Sequence, residues 1–307
     1  MALAIVTNSA ALNAAASASS VNRDLETSMA RLSTGKRINS ASDDAAGVSI
    51  ASRLTAQIKG TDQAIRNALD GQALIDTAEA SHKEVETMMQ RMREIAIQAA
   101  NDTYSTSDRS NLGSEMKAIY SEIDRVAKAT SWAGQSLLSG GTGPAYPVGA
   151  RGNSKEFTFQ VGSATSLSDR ITVNIGDMSA TALNLDSGED PPANYIYEIL
   201  DVAFPDAVPP TLAGSAMFAV SVIDEGLEWL NAKRASLGAV SNRLNHTVNN
   251  LTNISSNLSA AKGGIEDADF ALETTNLAKN QILQQASTAM LAQANASKQN
   301  VLSLLQG

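Results

Sequence analysis

All seven prolines fall between Pro144 and Pro210. The two long stretches on either side therefore lack the residue that most strongly breaks a helix, and both flanks are expected to be helical. Aromatic residues are as unevenly placed, with none before Tyr104 and none after Phe270. A helix so poor in rings offers little apolar area, so it should pack along a seam of small and aliphatic side chains.

The clearest period lies near the C-terminus, where Ile223, Leu230, Leu237, Leu244, Leu251 and Leu258 recur at every seventh position. A stripe of that period keeps facing a partner helix along its whole length, and these six residues are expected to form a bundle seam. Leu112, Met116, Ile119, Ile123 and Val126 repeat the 4-3 spacing, with Ser105, Thr106, Ser107 or Asp108 available as N-cap. Between about 45 and 101, Leu54, Ile58, Ile65, Leu69, Ile75, Met89 and Met92 outline a broader stripe on one helix weakened by Gly60 and Gly71. In the middle, Phe157, Phe159 and Val161, then Ile171, Val173 and Ile175, alternate with polar residues across a Gly/Ser/Asp loop, the pattern of a β-hairpin near 157–176. Residues 186–214, with Pro191-Pro192 and Pro209-Pro210, read as a variable surface insert. The fold class is thus mainly α, a long coiled-coil or bundle with a β-hairpin and a small irregular insert in the middle.

Composition removes several kinds of chemistry. The 307-residue chain has no cysteine, which excludes thiolate metal sites, iron-sulfur clusters and disulfides. A net charge of −9 argues against nucleic-acid binding, which needs a cationic surface. Apolar runs are short and diluted with alanine, so no membrane insertion is expected. No cation precedes Arg23, so the N-terminus does not read as a cleavable signal peptide. His82 and His246 are far apart in polar helical contexts and make no metal-ligand spacing. The glycine run before Pro144 lacks the Lys-Ser/Thr of a phosphate loop, and the Asp43-Asp44 and Asp267/Asp269 pairs read as helix caps. No cofactor, metal or catalytic cluster is expected.

The ends are sparsely charged. Residues 1–40 sum to +2 and residues 268–307 to 0, which leaves −11 between them. Each end is amphipathic, and Ile5, Leu12, Val21, Leu25 and Leu32, with Ile282, Leu283, Met290, Leu291, Val301 and Leu304, are the candidate self-assembly core. Two arrangements satisfy this pattern. In one, alanine- and serine-rich arms bury too little to fold alone and become ordered on each other and on neighbouring copies. In the other, they simply pack within one soluble bundle. A head-to-tail contact that does not close on itself would make a helical filament.

Two long motifs narrow the choice. Leu32-Ser-Thr-Gly-Lys-Arg-Ile-Asn-Ser-Ala-Ser-Asp-Asp-Ala-Ala-Gly47 resembles the N-terminal signature of bacterial flagellins. Asn280-Gln-Ile-Leu-Gln-Gln-Ala-Ser-Thr-Ala-Met-Leu-Ala-Gln-Ala-Asn295, followed by Gln299-Asn-Val-Leu-Ser-Leu-Leu305, resembles their C-terminal one. Shorter similarities are Glu122 to Val126, Phe157 to Gly162 and Ile175 to Met178, and the likeness covers roughly residues 1–185 and 215–307.

The resemblance implies a non-enzymatic subunit of the flagellar filament, the motor-driven propeller of swimming, that is exported unfolded through the type III apparatus and lies outside the cell. It implies an inner coiled-coil domain from 1–42 and 266–307, and a helical domain with the β-hairpin from 43–185 and 215–265. Its partners would be copies of itself, an export chaperone, and the cap and hook-junction proteins. Lys262 to Asp269, with paired Gly263-Gly264, is expected to bend as a spoke between domains, opposite Gly35 to Gly47. In the family, the stretch Gln90 to Asn101 matches a helix that packs on neighbouring subunits and is recognised by Toll-like innate immune receptors. By position, Gln90, Arg91, Ile95, Gln98 and Glu115 would form that patch, although Arg91 and Glu115 also fit simple filament contacts or solvated charges. The alternatives are a hook-filament junction protein, which should match both end motifs less fully, and a secreted enzyme on the same scaffold, which would need a catalytic cluster in 140–215.

Overall fold

The computed structural model describes the backbone at residues 8–140, 154–164, 166–183, 185 and 212–306, and side chains within these except at 212–215 and 298–306. Helix α1 runs Ser9–Thr34, α2 Ala45–Ala99 and α3 Thr106–Ala129; strands β1 (Ser131–Trp132), β2 (Gln135–Ser136), β3 (Ser154–Gln160) and β4 (Arg170–Gly176) follow; α4 (Leu212–Glu266) and α5 (Phe270–Gln306) complete the chain. The architecture is mainly helical, with the N- and C-terminal helices α1 and α5 packed together and small hairpins in the middle of the chain. Of the expected insert, 186–211 lies outside the described residues, and Leu212 to Gly214 already belong to α4.

Local chemistry sets the helix ends. Asn8 caps α1 by accepting from the Ala11 N–H at 3.1 Å, and Gly35 ends it in the left-handed region at φ 69°. Among the four cap candidates for α3, Ser105 is the cap, in a reciprocal capping box with Asp108. Its side-chain and backbone hydrogen bonds hold the Asp108 carboxyl below the ordinary range. The joint between α4 and α5 differs from expectation. Helix α4 continues through Gly263-Gly264 to Glu266, and the break falls at Asp267 to Asp269. Asp269 accepts from the Ala271 and Leu272 N–H groups at 2.9 and 3.1 Å, so a cap sets the break and the glycines do not.

The chain divides into two compact units, Met1–Lys59 with Ser255–Gly307, and Gly60–Ile254. In the second unit, Ile223, Leu230, Leu237 and Leu244 are fully buried and Leu251 nearly so, while Leu258 is half-buried in the first unit. Facing residues on α2 follow an unbroken 3-4 spacing: Thr61, Ala64, Ala68, Gly71, Ile75, Ala78, His82, Val85, Met89, Met92, Ala96 and Ala99, all buried. The stripe therefore passes through small residues where Ile65 and Leu69 were expected; Leu69 is exposed. Strands β3 and β4 pair antiparallel, with Phe157 opposite Val173 and Phe159 opposite Ile171. Ile171, Val173 and Ile175 turn into the core. Gly71 is where this hairpin meets α2, since a Cβ there would lie 3.3 Å from the Phe159 ring and 3.4 Å from Leu244. A second, two-residue-loop hairpin, β1 and β2, turns on Ala133 and Gly134 at φ 49° and 80° and was not anticipated.

Candidate assembly surface

The first unit is built on α1 against α5. Along α1 the covered positions are Ala11, Ala14, Ala18, Val21, Leu25, Ser28 and Leu32; along α5 they are Glu273, Leu277, Asn280, Gln284, Ser287, Leu291 and Ala294. Both series step by three and four, which is the register of a coiled-coil seam. The side chains on it are unusually small and polar. Polar contacts lie along it: Gln284 Nε2 donates to Asn22 Oδ1 at 2.8 Å, Asn8 Nδ2 donates to the Ala294 carbonyl at 3.2 Å, and Arg31 lies 3.8 Å from the buried Glu273 carboxylate. Of the sequence-derived core, Val21, Leu25, Leu32 and Leu291 are half-buried in this seam.

Seven other large apolar residues point the other way. Leu12, Met29, Phe270, Leu272, Ile282 and Met290 are each more than half exposed, and Leu283 is 39% exposed. Seven large apolar side chains in the open on two paired helices exceed the scattered exposure of an ordinary monomer surface. Ile5 lies outside the described residues, and the side chains of Val301 and Leu304 are likewise outside them.

At the other end of the arms, the Gly35 to Gly47 motif folds onto the α4–α5 joint within the same unit. Lys36 and Asp267 form an antiparallel bridge, flanked by Arg37 N–H donating to the Glu266 carbonyl at 2.6 Å and Ala268 N–H donating to that of Gly35 at 3.0 Å. Lys36 also pairs with Glu266 at 2.9 Å, and Arg37 Nη2 donates to the Ile265 carbonyl at 2.9 Å. Asp43 closes the following turn by accepting from the N–H groups of Asn39 and Ser40, which holds its carboxyl below the ordinary range. Gly47 packs closely here, since a Cβ would stand 2.5 Å from Ile38 Cδ1 and 2.6 Å from an Asp44 oxygen and would require both side chains to shift. The motif is a structural clasp.

In the second unit, Arg91 donates through Nε and Nη2 to Glu115 at 3.0 and 2.7 Å and through Nη1 to Glu94 at 3.0 Å, which raises its already high pKa, Glu115 contributing most. Arg93 similarly ties α2 to Asp224 of α4, with its Nε 2.5 Å from Oδ1. Gln90, Arg91, Gln98 and Glu115 are exposed together on this face, with Gln98 donating to the Tyr104 hydroxyl at 3.1 Å. Ile95 is not among them. It is fully buried in the core, so the expectation that it forms part of a surface patch is corrected. His82 also departs from its expected polar setting. It is fully buried, and neither ring nitrogen has a hydrogen-bond partner among the described residues. Burial, and then the nearby Arg234 charge, push its pKa down to about 4.

Among the described residues no helix is long and apolar enough to cross a membrane, and no group of His, Asp and Glu could hold a metal ion. The 140–215 segment, where a catalytic cluster would have had to lie, is largely outside the described residues. Paired terminal helices with outward apolar side chains define the class, a mainly helical, self-associating subunit.

Comparison with known proteins gives that class its family. Residues 5–142 match the bacterial flagellin N-terminal helical region, and residues 220–305 match the bacterial flagellin C-terminal helical region. The chain is 40% identical over 305 residues to the flagellin of Bacillus subtilis (strain 168), covering 97% of this chain and 98% of that one. It is 34% identical over 389 aligned positions to flagellin A of Vibrio anguillarum, covering the whole of both. A putative flagellar hook-associated protein from Vibrio parahaemolyticus shares the fold at a TM-score of 0.57 and 17% identity, over 73% of this chain and all of that one. The chain belongs to the bacterial flagellins, the non-enzymatic, extracellular subunits of the flagellar filament, which polymerise.

Proposed function

We propose that the paired arms, 1–42 and 266–307, form the inner polymerising domain, and that the outward residues Leu12, Ile282, Leu283 and Met290 are its contacts with other copies. The observation that carries this reading is how the arms divide their side chains: small and polar residues make up most of the seam beside Val21, Leu25, Leu32, Leu277 and Leu291, and seven large apolar residues lie outside it. A seam this thin returns little free energy for the residues it orders, so the arms become stably helical only when neighbours cover their outer faces. Ile5, Val301 and Leu304 are assigned to the same role from the sequence pattern alone.

The remaining helices, 43–185 with 215–265, serve as the second domain, and 186–214 as the variable insert. The exposed Gln90, Arg91, Gln98 and Glu115 face supplies a further contact with neighbouring subunits and is the surface that a Toll-like receptor would read. Export by the type III route, an export chaperone, and cap and hook-junction partners complete the assignment.

Seeding purified subunits and imaging them by negative stain tests it. Ile282→Asp should abolish filaments, as should removal of residues 301–307, while the circular dichroism of the second unit is retained. Normal filaments from either variant would refute the assignment.

A further inference from the structure

The chain has no cysteine, so its nine methionine thioethers are its only side-chain sulfur. Met1 lies outside the described residues, and the others differ widely in burial: Met89, Met92, Met116 and Met178 are fully buried in the second unit, Met88 is half-buried there, and Met217 is 68% exposed on α4. Met29 on α1 and Met290 on α5 are 54% and 56% exposed in the first unit. Met29 follows Ser28 of the seam directly, and Met290 borders a groove lined by Asn8, Asn13, Ala14 and Gln293. No charged side chain occurs between Asn280 and Ser297.

We propose that Met29 and Met290 are oxidation sites that gate assembly, peroxide converting them to sulfoxides in the free subunit and thereby excluding that subunit from the filament. This rests on the assignment of the outer arm faces as the polymerising surface. In the reaction the thioether sulfur gives an electron pair to one peroxide oxygen. The O–O bond breaks as the S–O bond forms, sulfur is oxidised by two electrons, and the second oxygen leaves as water.

A thioether is a pliable apolar group that can be covered without a hydrogen-bond partner. A sulfoxide is polar and a strong acceptor, and the surroundings of Met290 hold only small side chains and amides. Covering it against another copy strips its water, and the amides of the groove can compensate only by giving up water or partners of their own, as Asn8 would the Ala294 carbonyl. Once a copy is seated, the same contact shields the sulfur, so the filament resists the oxidant that disables the free subunit. Met217, in the other unit, is equally open but lies outside the arm faces, which makes it an internal reference.

The test uses the full chain as free subunit and as seeded filament, both exposed to hydrogen peroxide and read by peptide mass spectrometry. In the free subunit Met29, Met290 and Met217 should gain one oxygen, and the four buried methionines should not. In filaments, oxidation of Met29 and Met290 should slow by roughly tenfold or more relative to Met217. The oxidised subunit should need a roughly tenfold higher concentration to polymerise, and reduction by methionine sulfoxide reductases of both epimer specificities should restore it. A Met29→Leu/Met290→Leu double variant should assemble equally well before and after peroxide. Unchanged assembly after complete oxidation at both positions overturns the proposal, as does equal oxidation in filament and free subunit, or a double variant that still loses assembly. Failure of the untreated chain to polymerise would strike the underlying assignment instead, so the two failures are distinguishable.

Discussion

Replacing His82 by leucine should remove a pH dependence of stability that the native chain carries. The imidazole sits on the α2 stripe between Ala78 and Val85, fully buried, and Arg234 of α4 pairs with Glu79 at 3.5 Å and with Glu86, one turn to either side of it. A protonated ring would lose its hydration and face the guanidinium, so the folded value falls from 6.5 to about 4. Above pH 6.5 both folded and unfolded imidazoles are neutral, and below 4 both are charged. Between these values only the unfolded ring binds the proton, so stability is full above 6.5 and falls as pH drops toward 4. At about 1.4 kcal/mol per pH unit, the window amounts to about 3 kcal/mol.

Trp132 and Trp229, the chain's two tryptophans, both lie in the second unit, so their fluorescence follows its unfolding in urea. About 2.5 kcal/mol of the His82 window is lost between pH 7 and pH 4.5, so with a slope of about 2 kcal/mol per molar the native midpoint should fall by about 1.2 M over that range. Asp108 and Glu122 of the same unit have carboxyls held below their ordinary range, Asp108 first by Ser105 and Glu122 first by Arg125. Their stabilisation is present above the unfolded carboxylate values and is lost only as pH falls through the lower folded ones, which leaves the 4.5–6.5 window to His82. Leucine has no nitrogens to desolvate and comparable bulk, so the variant at pH 7 should lie within about 1.5 kcal/mol of the native chain. An equally steep pH dependence in His82→Leu, or a flat native profile, would refute this reasoning.

Two further outcomes follow from the packing. Leu230→Ala, at a fully buried seam position, should destabilise the second unit by about 2–5 kcal/mol in the same urea assay. Ser105→Ala removes the hydroxyl that accepts from the Asp108 N–H, while the backbone N–H at 105 still donates to the Asp108 carboxylate, and should cost about 1 kcal/mol there, with exchange protection lost first in the initial turn of α3.

Much of this fold was legible wherever a large side chain marks the period. Ile223 to Leu244 announce their seam because leucine at every seventh position is hard to read otherwise, and the hairpin follows from alternation around Phe157 and Ile171. What escaped was the seam made of small residues. Between Thr61 and Ala78 the stripe is carried by Ala64, Ala68 and Gly71, so a reading weighted by apolar bulk moves onto Ile65 and Leu69. Followed by spacing alone from Met89 and Met92, the register runs back through Val85 to His82 and forward to Ala96 and Ala99. Ile95, adjacent to Ala96, then falls on the buried side although it stands one turn from the exposed Arg91. The α4–α5 break falls within the expected Lys262 to Asp269, but at its C-terminal end and not at its glycines. Glycine lowers helix propensity, but propensity yields to contacts, and here Asp269 and the backbone bridge to Gly35 and Arg37 fix the boundary.

On the assignment proposed above, the same principle gives the arms their function. In a closed globule the largest apolar residues collect inside, because covering them yields the most free energy. In α1 and α5 alanines and serines occupy much of the inside, while Leu12, Phe270, Ile282 and Met290 face water. Small residues let two helices approach closely, and that leaves the burial of the large ones to the next copy. An arm pair arranged this way is poorly satisfied alone and well satisfied in an array. Its stability therefore depends on how many of its faces are covered, and for such a subunit folding of the arms and addition to the filament are one thermodynamic event.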